Sequence, residues 1–452
     1  MHIIDTLTEK KGTRQNDIPV KIVKLCSEIL SPFLAKLFNN CINQGIYPQN
    51  FKCAQVTPIH KSGPENVCTN YRPISVLSPS NKTFEKLLYD RLYHYVECKS
   101  MLSKHQYGFR AKVSTEFAIY DIVECILENL DRKIPTCAVF LDLSKAFDTV
   151  DHSVLLWKLE QYYGIRGLPL QLFKNYLHRR EQYTIVKKCR SQTPQINCGL
   201  PQGLILSPLL FSLYVNDFPK VSNFTTTLFA DDTCLILANK NIDILEKMVD
   251  QEINKVDSWM CHNKLSLNYS KTVYMIFNSD KNQSSPFTVQ IGSHLINRVN
   301  STKYLGMHLD NKLNWDTHVS KLESKFSCYS GIFYRIREYL STNEFKLIYF
   351  SLVYSHLQYA IGAWGSATKT SLHRLNTIHN KIINTISWSS FRCHVTPVYS
   401  QLNLLKLEDI QQLEIAKLMH NFHSNRMPNV FDRLFTAVYC VHTHETRRCT
   451  SG

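Results

Sequence analysis

No stretch of this chain is of low complexity and none repeats, which excludes a solenoid, a fibrous array or a disordered polar chain. With 44% hydrophobic residues over 452, folded protein is expected throughout. No uninterrupted apolar run is long enough to span a bilayer. The nearest, Phe345 to Trp364, is broken by Lys346, His356 and Gln358, and reads as a buried helix. The 15 cysteines show no paired framework and the N-terminus carries no secretory leader; reduced thiols, in the nucleus or cytoplasm, are expected. Cys440, His442, His444 and Cys449 match no common zinc spacing and are read as a chance grouping. An acidic excess is also lacking. Lys and Arg number 52 against 37 Asp and Glu, a net charge of +15 that favours polyphosphate partners through counterion release. A basic protein with no such partner could share that balance.

What is present centres on Phe229-Ala230-Asp231-Asp232. The Thr- and aromatic-rich run from Phe224 to Phe229 and the apolar run from Cys234 to Leu237 read as two strands with both acids at the turn between them. Neighbouring carboxylates repel, and a divalent cation with hard oxygen ligands would offset the repulsion. A third acid, Asp142, ends the short buried-strand run Cys137 to Leu141, after the break at Ile134-Pro135. Three carboxylates on adjacent strands suit two-metal nucleotidyl transfer to a 3′-hydroxyl. A solvated hairpin tip for the pair, and a helix cap for Asp142, remain the plainer alternatives.

The surrounding segments supply more. Phe140-Leu141-Asp142-Leu143-Ser144-Lys145-Ala146-Phe147-Asp148-Thr149-Val150-Asp151-His152 resembles the first palm motif of non-LTR (LINE-type) retrotransposon reverse transcriptases. Gly199-Leu200-Pro201-Gln202-Gly203 with Leu206-Ser207-Pro208 resembles the second, and the Asp231-Asp232 segment the third. Asn70 to Ser75 and Gln106 to Arg110 resemble the fingers motifs, and Lys303-Tyr304-Leu305-Gly306 the primer grip. Six segments occur in the family's order, from about Ile18 to beyond Trp364.

The resemblance implies an α+β right-hand polymerase with an antiparallel palm sheet and a helical C-terminal thumb. Fingers would occupy 1–135, palm 136–318, and thumb with a post-polymerase segment 319–452. It implies that Asp142, Asp231 and Asp232 hold two Mg²⁺ ions, with Mn²⁺ as the alternative metal. Phe147 would be the steric gate against a ribose 2′-hydroxyl, or simply a core aromatic. Arg72 would clamp the triphosphate as a bidentate fork. Lys61 would add a phosphate contact, or be a solvated loop lysine. Gln202 and Gly203 would line the nucleotide pocket, with Gly203 allowing close backbone approach. Lys271 would protonate the departing pyrophosphate, or be a surface lysine before the edge strand Val273 to Phe277. Tyr304, Leu305 and Gly306 would grip the primer. Asp148 and Asp151 are assigned to capping or hydrogen bonding.

Partners implied are an RNA template, a DNA primer or target DNA and deoxynucleoside triphosphates, with no membrane, in a nuclear and cytoplasmic ribonucleoprotein. Members of the family carry an endonuclease that this sequence does not display, so a fragment or truncated copy is expected. Leu204 stands where relatives have serine and Ser207 where they have glycine. Both changes set up a rival reading, a silent nucleic-acid-binding remnant; an intron-maturase-like enzyme is the other. Downstream of Val319, the stripe Leu322, Phe326, Ile332, Phe333, Ile336 and Leu340 predicts an amphipathic helix, and Leu375, Ile378, Ile382 and Ile383 predict another.

Overall fold

The apolar run before Asp142 forms the strand Thr136–Leu141, in which every residue is buried. A strand apolar on both faces belongs in the middle of a covered sheet. In a computed structural model of the chain it is the centre of a five-stranded sheet. The structure describes residues 1–8, 17–186, 189–278, 287–390, 393–428, 431–432 and 435. The Cys440, His442, His444 and Cys449 grouping lies outside them. Two compact units are built from interleaved segments: Met1–Phe109, Asp142–Asn223 and Ile253–Asn268 form one, and Arg110–Leu141, Phe224–Glu252 and Tyr269–Gly452 the other.

In the second unit the sheet runs in the order Asn297–Arg298, Val273–Phe277, Thr136–Leu141, Asp232–Ala238, Thr225–Phe229. All of its pairings are antiparallel except the short one between Asn297–Arg298 and Val273–Phe277. That short pairing means Val273–Phe277 is not a bare edge strand, as the sequence implied. The helix Thr115–Asp131 packs on the sheet, its first turn capped by the Ser114 hydroxyl accepting from the Phe117 amide at 3.3 Å.

The predicted amphipathic helices are Asp316–Ile336 and Lys369–Ile386, packed on each other. Leu322, Phe326 and Phe333 are buried as expected, but Ile332 is 42% exposed, because it sits one position off the i, i+4, i+7 row. The run from Phe345 to Trp364 is a broken helix: Thr342–Tyr349, a π turn Phe350–Tyr354, Ser355–Gln358 and Ile361–Trp364. Phe345, Tyr349, Val353 and Leu357 are all buried, at four-residue steps. Among the described residues no helix is long and apolar enough to cross a membrane.

The first unit carries its own sheet. Cys53–His60 pairs antiparallel with Tyr71–Val76 and parallel with Arg180–Val186, to which the short strands Cys189–Arg190 and Gln195–Ile196 are added. The helix Pro79–Cys98 begins with proline at its first position and the Ser78 hydroxyl as cap. Its Phe84 stacks on Phe38 at 4.6 Å and on Tyr47 at 5.2 Å. The helix Ser207–Tyr214 is buried at every position but Pro208. That follows from its almost wholly apolar sequence.

Candidate active site

The second unit sets two of the acids. Thr225–Phe229 and Asp232–Ala238 form a hairpin closed by the pair Phe229–Asp232, with Ala230 and Asp231 as its two-residue turn. Asp231 is therefore the turn residue, while Asp232 already belongs to the strand; both are exposed. Ala230 has φ +58°, a left-handed conformation that costs a residue with a Cβ about 1 kcal/mol. On the neighbouring ladder, Leu141 pairs with Thr233. Asp142 follows Leu141 in the chain, and Asp232 precedes Thr233.

The segment Lys303-Tyr304-Leu305-Gly306 lies in a second hairpin of this unit, Ser301–Tyr304 with Met307–Asp310. Leu305 and Gly306 form its turn with φ +44° and +86°. Tyr304 is buried, its ring 5.4 Å from that of Phe140, which leaves Leu305 and Gly306 at the tip. The Tyr359 hydroxyl donates to the Leu305 carbonyl at 2.6 Å and so holds the turn from behind. Lys271 is exposed in the turn that precedes Val273–Phe277.

In the first unit the segment after Asp142 is a series of turns and not the helix start considered above. The Asn268 amide donates to the Asp142 carbonyl at 2.8 Å and the Ser144 amide to the Ser266 carbonyl at 2.8 Å. Asp151 caps the helix His152–Gln161 by accepting from the Val154 amide at 3.0 Å, and also pairs with Lys264 at 2.6 Å. Phe147 stacks on Phe211 at 4.6 Å and meets Phe109 edge-on at 6.0 Å. It is half-buried.

The second-motif loop lies beside this segment. The Leu200 amide donates to the Phe147 carbonyl at 2.7 Å, and the Gly199 amide to the Val150 carbonyl at 2.8 Å. Gly199 has φ +88°, and a Cβ there would stand 2.6 Å from the Asp148 carbonyl oxygen. Gln202 offers its carbonyl to the Ser75 amide at 2.7 Å and its side-chain amide to Asp148 Oδ1 at 3.2 Å. Gly203 does permit a close approach, with φ +93° and the Ser75 carbonyl 3.0 Å from a Cβ placed on it. The backbone approached is the protein's own strand Tyr71–Val76. A cleft of about 230 Å³ is lined by Pro73, Ser75, Asp148, Gln182, Cys198 and Gln202, among others. Arg72 and Lys61 stand outside that lining, both exposed, at the far end of the hairpin of Cys53–His60 and Tyr71–Val76.

Two residues that pattern reading passed over hold these parts. Glu85 is fully buried and accepts from the Ile205 amide at 2.9 Å and the Tyr176 hydroxyl at 3.0 Å, tying down the loop after Gly203. Burial raises its carboxyl pKa, against the nearby Arg180 charge. The signal was an acid in register with Asn81, Leu88, Leu92 and Val96 on the helix's buried face. Tyr359 carried no such signal, since its contact is 54 residues away in sequence. The two departures prove benign in packing. Leu204 is 3% exposed, and Ser207 opens its helix without a positive φ, its hydroxyl donating to the Pro201 carbonyl at 2.8 Å. Among the described residues, no three Asp, Glu, His or Cys side chains are drawn together as a ready metal site.

A family model described as reverse transcriptase (RNA-dependent DNA polymerase) matches residues 59–309, more than half of the chain. The chain belongs to that family. The antiparallel-rich sheet that carries Asp231 and Asp232 is thus the palm sheet of a right-hand polymerase fold, α+β as expected. The RNA-directed DNA polymerase from mobile element jockey of Drosophila melanogaster is 28% identical over 444 residues, covering 94% of this chain and 48% of that protein. The probable RNA-directed DNA polymerase from transposon X-element of the same fly is 28% identical over 420 residues, covering 90% and 45%. The expectation of a non-LTR retrotransposon reverse transcriptase agrees with both. The chain spans about half the length of these curated relatives. Among solved structures, apo telomerase from Candida Tropicalis aligns with TM-score 0.46 and 13% identity over 84% of this chain and 64% of that one, a likeness too slight to carry an argument.

Proposed function

We propose that this chain is an RNA-directed DNA polymerase of the non-LTR retrotransposon kind, extending a primer 3′-hydroxyl on an RNA template with deoxynucleoside triphosphates. The observation that carries the reading is the pairing of Leu141 with Thr233, whose chain neighbours are Asp142 and Asp232, with Asp231 at the adjoining turn. Three carboxylates are the hard-oxygen donor set that Mg²⁺ or Mn²⁺ takes. Asp142, Asp231 and Asp232 would hold the two ions, which when bound supply activation of the 3′-hydroxyl and neutralise charge on the leaving pyrophosphate.

The other roles belong to the chain's own groups. Phe147, its ring buttressed by Phe211, excludes a ribose 2′-hydroxyl. Arg72 and Lys61, exposed at one end of their hairpin, take up the triphosphate as the substrate closes onto it. Gln202 and Gly203 border the nucleotide, the hairpin turn at Tyr304, Leu305 and Gly306 supports the primer terminus, and Lys271 delivers a proton to the pyrophosphate. In this reading 1–135 is the fingers region, 136–318 the palm and 319–452 the thumb and following segment. The enzyme works in a ribonucleoprotein of the nucleus and cytoplasm.

The test is primer extension by the purified chain on poly(rA) with oligo(dT), dTTP and Mg²⁺, with Asp142→Asn and Asp231→Asn alongside. Extension by the parent chain and a loss of at least about a thousandfold in both variants is expected. Extension that survives in the variants overturns the site; an inert parent chain that still binds RNA overturns the activity.

A further inference from the structure

Gln202 is held at two points, and the partner of its side chain determines which way the amide points. The Asp148 carboxylate lies 3.2 Å from Gln202 Nε2. An ionised carboxylate can only accept, so the amide must turn its NH₂ toward Asp148. Its carbonyl oxygen, Oε1, is then the free end. The backbone leaves little slack: the Gln202 carbonyl accepts from the Ser75 amide at 2.7 Å, and Gly199 closes on the Asp148 carbonyl through a gap that admits no Cβ. Asp148 and Gln202 both line the cleft of about 230 Å³.

We infer that Asp148 is a positioning residue for the nucleotide pocket. It locks the Gln202 carboxamide so that a hydrogen-bond acceptor is presented to the incoming nucleotide. The group recognised there is a donor, a hydroxyl or an amino group, and a phosphate or carbonyl oxygen is disfavoured. Asp148 acts through Gln202 and holds no metal. The inference rests on the placement of Gln202 beside the nucleotide.

The experiment is a double-mutant cycle read in steady-state primer extension, with KM for the deoxynucleotide separated from kcat. Asp148→Ala and Gln202→Ala are each expected to raise KM about tenfold with a smaller change in kcat, since a charge-assisted hydrogen bond is lost. The double variant is expected to be no worse than the worse single one, as for two residues acting through one contact. Asp148→Asn, whose side-chain oxygen still accepts from Gln202, should return KM to within about twofold of the parent. A merely structural role for Asp148 would lower the melting temperature and active fraction without this KM pattern. If Asp148→Ala does not fold, Asp148→Ser, too short to reach Gln202, is read in its place. Effects that multiply in the double variant, or an Asp148→Asn as damaged as Asp148→Ala, overturn the inference alone. A KM unmoved in Gln202→Ala overturns the pocket reading and the inference with it.

Discussion

Gly199 lies against Asp148 so closely that a Cβ at position 199 would stand 2.6 Å from the Asp148 carbonyl oxygen. The contact is backbone to backbone, so no side chain can swing away to relieve it. With φ at +88° the left-handed penalty adds to the clash. Gly199→Ala is therefore expected to cost about 2–4 kcal/mol and to separate the Phe147 segment from the Gln202 loop. Urea unfolding checks this, and a midpoint equal to the parent's would show that the two segments part freely.

Ala230 offers the opposite change. A two-residue hairpin turn with positive φ at its first position favours glycine, and here a Cβ is carried at +58°. Ala230→Gly should stabilise the hairpin by up to about 1 kcal/mol while leaving Phe229 paired with Asp232. Because glycine also loosens Asp231, the same variant should extend primers more slowly. Denaturation and extension assays on one preparation test both halves; loss of stability contradicts the strain argument.

Phe147 stacks on Phe211 at 4.6 Å, which fixes the plane of the proposed gate. Phe147→Ala should admit ribonucleotides, lowering the preference for deoxynucleotides by at least about tenfold, and should cost some stability because the ring is half-buried. Competition between dTTP and UTP in primer extension measures it. Unchanged sugar discrimination would leave Phe147 as a core aromatic.

Acid should destabilise the second unit through two histidines. His379 is fully buried between the hydroxyls of Tyr349 at 2.9 Å and Tyr399 at 3.1 Å, and burial pushes its pKa down to about 3. Burial, with His308 and His356 nearby, pushes His318 down to about 4. In the unfolded chain both titrate near the ordinary 6.5, so below that pH the unfolded state binds more protons than the folded one. Their stabilising effect is complete above about pH 6.5 and is lost as pH falls toward 4 and then 3. Between pH 7 and 5 each should remove about 2 kcal/mol. Unfolding curves at the two pH values, with His379→Asn beside the parent, read the effect; an equal pH slope in the variant refutes the assignment to His379.

Much of this protein was legible in the order of its residues. The strands at 136–141, 225–229, 232–238 and 273–277 were visible because their apolar runs are continuous or alternate and are bounded by turn residues. The acid pair and the two glycine-bearing loops were legible because few residue types can serve there. Local pattern alone also foresaw the helices from 316 and from 369.

Other features exist only through the fold. Nothing in the sequence says that Leu141 stands opposite Thr233, since strand register depends on which faces the whole sheet buries. Ile332 falls one position off its helix's buried row, and a pattern of apolar residues does not state which row the packing covers. Glu85 under the Ile205 amide, Tyr359 behind Leu305, and Asp148 against Gln202 join residues 120, 54 and 54 positions apart. Chain order determined which chemical groups this protein owns. Only close packing, which leaves each buried donor or acceptor one place to find its partner, decided which of them act together.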